Sequence, residues 1–100
     1  MTDHEKAERE VARWRMLVTI HIGGPWPVNE GTIQLALEDS AHRISQTKLR
    51  AELSYLERKG LIEVLNKDAP TWSAMLTAQG TDVVEYTAAK PDGIGRPARW

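Results

Sequence analysis

Apolar side chains recur at spacings of three and four between residues 3 and 22. Val11, Trp14, Leu17, Val18 and Ile22 make one stripe of an amphipathic helix, and charges of both signs fill its other face. Gly23 and Gly24 stop this helix, and Pro25 and Pro27 prevent its resumption. Trp26, between the prolines, is expected to fold back on the core, and Trp14 to pack there too. A second helix is predicted over Asn29–Ser40. Asn29 is its N-cap, Glu30 suits its first turn, and Ile33, Ala36 and Leu37 form a narrow apolar stripe. After a link, Ala41–Ile44, Ser45 caps a third helix whose buried face is Leu49, Leu53 and Leu56. Gly60 ends it just after Arg58 and Lys59, cations that suit a helix C-terminus.

Beyond Gly60 the period changes. Leu61–Leu65 is a short β-rich run, Asn66–Thr71 is dense in turn formers, and Trp72–Leu76 returns antiparallel. Thr77 caps a last short helix, about Ala78–Ala88, with Val83 and Val84 turned inward. The tail Lys90–Trp100, with two Pro and two Gly, is expected to be irregular. The predicted order is helix, helix, helix, hairpin, helix: mainly α with a small β-hairpin, one domain over 1–89 and a tail over 90–100.

Composition narrows this reading. A chain of 100 residues has room for one domain, and 41% hydrophobic against 27% charged residues make it globular rather than disordered. Cysteine is absent, which excludes a disulfide scaffold, a thiolate zinc site and a cysteine nucleophile. The charged start and the lack of a long apolar run argue against a signal peptide or membrane span, so a bacterial host cytoplasm is the expected location. The net charge is −1, but it is unevenly placed: residues 23–42 carry −3 and residues 43–67 carry +3. A field that is basic all over is absent; a local basic region is not.

The run SQTKLRAELSYLERKGLIEV (residues 45–64) resembles the recognition helix and first wing strand of the winged helix-turn-helix family of bacterial and phage regulators. The later LTAQGTDVVEY resembles the segment that closes that fold. More narrowly, the whole chain, with its GIGRPARW ending, is similar to small winged-helix proteins of Mu-like phages and prophages. The resemblance implies three helices, a two-stranded wing over 61–76, a short C-terminal helix, and DNA read by helix 45–59 and the wing. Such folds also serve as dimerisation and protein-docking modules.

A turn of about 100° per residue puts Leu49, Leu53 and Leu56 on one arc of the third helix. Thr47, Arg50, Ala51, Ser54 and Arg58 lie opposite, flanked by Lys48 and Tyr55, with Glu52 and Glu57 directed to the flanks of the core face. A groove-facing helix needs such a cationic, hydrogen-bonding surface with small residues for close approach. Arg50 suits a guanine edge or a phosphate and Ala51 a thymine methyl. Ser45 and Gln46, beside free helix N-terminal amides, suit a phosphate. Arg43 in the link and Lys67 in the wing turn add positive charge, with Asp68 beside Lys67. Arg96 and Arg99 are possible tail contacts. Removing Arg50 and Lys48 together is expected to weaken DNA binding and leave the fold intact. Trp14 and Tyr86 offer a homodimer seam or complete the monomer core.

Enzyme chemistry finds no support in the chain. His4, His21 and His42 are scattered, without H-x-x-x-H or H-E-x-x-H spacing, so no metal or cofactor is expected. Glu38, Asp39, Ser40 and His42 are sequence neighbours at a helix end, whereas a triad is assembled in space. Gly93-Ile94-Gly95 has no strand before it and no helix after it, unlike a dinucleotide loop. Two readings therefore stand: a double-stranded DNA reader, or an adaptor that docks a phage protein on the third helix. The acidic second helix, which crosses the DNA backbone in helix-turn-helix geometry, favours the adaptor.

Overall fold

Residues 2–99 are described by a computed structural model. The helix α1 spans Asp3–Ile22; Thr2 caps it by accepting from the Glu5 amide at 3.1 Å. Strand β1 (Val28–Asn29) leads directly into α2 (Glu30–Asp39), whose N-cap is Asn29. The helix α3 spans Gln46–Arg58 behind its Ser45 cap. Strands β2 (Ile62–Leu65) and β3 (Ser73–Leu76) form the wing, and α4 (Ala78–Val84) follows Thr77.

The sheet differs from the expected hairpin. It has three antiparallel strands in the order β1-β3-β2, with Val28 opposite Ala74 on one side and Val64 opposite Ala74 on the other. Two residues cannot show a period, so β1 left no alternation to read. The last helix is also shorter than expected. It ends at Val84, and Tyr86 takes a positive φ of 63°, which turns the chain out of the helix.

The core lies where α1 crosses α2, β3 and α4. Met16, Leu17, Ile20, Ile33, Leu37, Leu49, Leu53, Leu56, Leu61, Ile62 and Val83 are almost fully buried. The α1 stripe is therefore shifted toward Met16 and Ile20. Ile22 stands 79% exposed because it is two residues, about 200° round the helix, from the buried Ile20. Trp26 is 74% exposed and does not fold back: its turn closes locally, amide to the Gly23 carbonyl at 3.2 Å, between two prolines.

Residues 90–99 have no regular structure, as expected, yet they are packed. Ile94 is fully buried, and the Gly95 amide donates to the Glu10 carbonyl at 2.9 Å. Gly93 adopts φ 86°, and a Cβ there would stand 2.0 Å from the Tyr55 hydroxyl. Only glycine suits both the backbone and the space. Trp100, the last residue of the expected tail, lies outside the described residues.

Candidate nucleic-acid interface

The three leucines of α3 seat it in the core and turn its opposite side outward. Ser45 accepts from the Lys48 amide at 3.2 Å and starts the helix there. Ser45, Thr47, Lys48, Ala51 and Arg58 are exposed and Ser54 is half-buried. Among the described residues neither Lys48 nor Arg58 has an ion-pair partner. Arg43, in the link before α3, has an 88% exposed side chain 3.7 Å from Glu38.

The acids of α3 turn to its two flanks and are paired. Glu52 meets Arg13 at 3.2 Å and Arg9 at 3.7 Å on the α1 side. Glu57 accepts from Lys67 Nζ at 2.6 Å and from the Val64 amide at 2.9 Å on the wing side. These contacts, the lysine first, hold the Glu57 carboxyl below the usual carboxylate range.

Arg50 is not the free reader that the helical arc suggested. Its Nε and Nη2 atoms donate to the two oxygens of Glu30 at 3.0 and 2.8 Å, and Nη2 also reaches the Pro70 carbonyl at 2.9 Å. Its guanidinium lies 4.7 Å from the centre of the Trp72 ring. Glu30 is buried, and it also accepts from Gln46 Nε2 at 3.2 Å and from the Trp72 amide. The Arg50 hydrogen bonds, ahead of the other contacts, pull the Glu30 carboxyl below its ordinary value, and burial opposes them. Glu30 in turn raises the Arg50 guanidinium above its ordinary value. Removing Arg50 would strand a buried carboxylate, so the fold would not survive that change untouched. Gln46 and Lys67 are likewise engaged within the chain. Glu30 was missed as a central residue because a first-turn acid reads as a dipole partner. The partner that matters lies 20 positions on.

The tail cations face elsewhere. Arg96 donates to the carbonyls of Val83 and Ala88 at 2.9 and 2.8 Å and lies 4.4 Å from the Tyr86 ring centre. Arg99 lies over the same ring at 5.1 Å. Both hold the tail against the end of α4, rather than extending the surface of α3. Trp14 and Tyr86 meet one another edge to face at 5.9 Å within one chain, and Trp14 is 8% exposed. The pair therefore serves the monomer core and leaves little of Trp14 for a second copy.

A groove of about 520 Å³ runs between α3 and the N-terminal half of α1, with Ala12, Ile44, Ala51 and Tyr55 along it. Lys48, Arg43 and Arg58 edge it from α3 and its link, Glu5 and Glu8 from α1. Among the described residues no group of three His, Cys, Asp or Glu is placed to hold a metal ion. No helix among them is long and apolar enough to cross a membrane.

A helix seated on a three-helix core, its outer side exposed and a β-hairpin beside it, defines a winged-helix-like fold. Among solved structures the chain is similar to H. salinarum RosR, with a TM-score of 0.62 and 25% sequence identity over 82% of this chain and 80% of that one. No family model matches the chain, and no curated protein matches it.

Proposed function

We propose that this chain binds double-stranded DNA as a transcription regulator of the phage or prophage kind, laying the outward side of α3 in the major groove. The observation that carries this reading is the outward side itself. It presents Thr47, Lys48, Ala51, Ser54 and Arg58, while Glu52 and Glu57 are turned aside and paired. Cations and hydroxyls suit phosphates and base edges, and Ala51 leaves room for close approach. Ser45 and Arg43 stand at the N-terminal end, where backbone amides favour a phosphate. The likeness to RosR supports the reading at the level of the fold. Gln46, Arg50 and Lys67 drop out of the primary contact set because each is bonded within the chain.

The test is a mobility shift with a random-sequence duplex at low salt, comparing the wild type with Lys48→Ala/Arg58→Ala. Among the described residues neither has an ion partner to lose, so the double variant should melt like the wild type and bind distinctly more weakly. Equal binding by the two proteins overturns the reading. A protein-docking role is the second reading. The internal pairing of Arg50 and Lys67 favours it, because that pairing reduces the positive charge open to DNA. Wild-type protein that leaves the duplex unshifted would select this second reading.

A further inference from the structure

The wing loop, residues 66–72, lies beyond the last strand pair, Leu65 with Ser73. It is nevertheless fixed to α3 at both ends. At its start Lys67 reaches Glu57 at 2.6 Å. At its end Pro70 and Trp72 are held by Arg50 and Glu30. Arg50 and Glu57 are seven residues apart, about two turns, and so lie on one flank of the helix. Lys67 Nζ also lies 5.9 Å from the Trp72 ring centre, which draws the two ends of the loop together.

Glu30 is where these contacts converge. It belongs to α2, and its carboxylate takes hydrogen bonds from Gln46 and Arg50 of α3 and from the Trp72 amide just before β3. Its own amide donates to the Trp72 carbonyl at 2.9 Å, so Glu30 and Trp72 are bonded reciprocally. The carboxylate side chain is 4% exposed. An apolar contact would hold the hairpin near α3 without choosing its orientation, because hydrophobic burial is non-directional. A carboxylate that accepts from two elements at once fixes an angle as well as a distance.

We propose that Glu30 is the positioning residue that sets the wing at one place beside α3, so that loop 66–72 and the outward side of α3 meet duplex DNA as a rigid pair. This rests on the DNA-binding reading above. In this arrangement Arg50 works through Glu30 and Trp72, and contacts to the ligand come from its neighbours on the helix.

The test uses the full chain and two variants. Glu30→Gln keeps the shape and removes the charge; Arg50→Lys keeps the charge and removes the planar fork that spans Glu30 and Pro70. Amide hydrogen exchange is followed by NMR, and binding to a short random-sequence duplex is measured at low salt. The expected result is exchange about tenfold faster at the bonded loop amides of Trp72 and Ala69, with the amides of Leu53 and Val83 little changed, as for a local opening. Duplex affinity should fall in both variants. Exchange that is unchanged, or faster by the same factor in every element, overturns the proposal, since Glu30 would then be no more than a general support. A loosened loop with unchanged duplex affinity overturns the coupling of wing placement to DNA. Should Glu30→Gln fail to fold, the same criteria apply to Arg50→Lys. Wild-type protein that does not bind the duplex overturns the DNA reading instead, and the exchange measurement still decides whether Glu30 places the wing.

Discussion

Arg50 and Lys48 lie two residues apart on α3, and losing them should have opposite consequences. Lys48 is exposed and has no ion-pair partner among the described residues, so Lys48→Ala should change stability by no more than about 0.5 kcal/mol. Arg50→Ala leaves the buried Glu30 without its main partner, and its thermal melting point should fall clearly below that of Lys48→Ala. Equal melting points would show that Glu30 does not depend on Arg50. The same carboxylate sets an acid limb. The carboxyls of Glu30 and Glu57 are both held below their ordinary value of 4.5 in the folded chain. Their contribution is present above the unfolded value and is lost as pH falls through the lower folded values. Denaturant melts taken from neutral pH downward should show stability falling below about pH 4.5. Glu30→Gln should flatten part of that fall.

At the scale of elements, the tail is a structural part of the fold despite its irregular backbone. Ile94 is fully buried, and Arg13 donates to the Gly93 carbonyl at 3.1 Å while lying 3.7 Å from the Tyr55 ring centre. Ile94→Ala should cost about 3 kcal/mol in a urea melt, as buried large-to-small changes do. Truncation after Ala89 should cost more. A truncated chain as stable as the full one would contradict this packing. The helices themselves were legible: α1 and α3 follow apolar spacings, and Asn29, Ser45 and Thr77 cap where their side chains predict. The tail was not, because one buried isoleucine among Pro and Gly shows no period. The strand β1 was hidden for the same reason: its pairing partner, β3, is more than 40 residues away.

Across the whole molecule, the uneven charge acquires a physical meaning. The region of −3 and the region of +3 partly cancel by direct contact, since Glu30 of the first pairs with Arg50 of the second and Glu38 lies near Arg43. What remains outward is chiefly Lys48 and Arg58 on α3 and, in the link before it, Arg43, whose side chain is 88% exposed beside Glu38. Three phosphate contacts give a slope of about −3 in log affinity against log salt. Duplex binding measured across salt concentrations should follow a slope near that value. A slope steepened to about −4.5 would mean that Arg50 and Lys67 leave their partners to meet DNA.

The sequence by itself determined the four helices, the caps of the last three, the leucine seat of α3 and the choice of its outward side, though not where the last helix ends, because each depends on residues a turn or two apart. The tertiary structure alone decided which of those outward charges are available. Availability depends on partners distant in the chain, Glu30 for Arg50 and Glu57 for Lys67, and on how closely they are buried together. It also decided that the tail is packed and that Trp14 and Tyr86 meet within one chain, since both follow from contacts that no local period records.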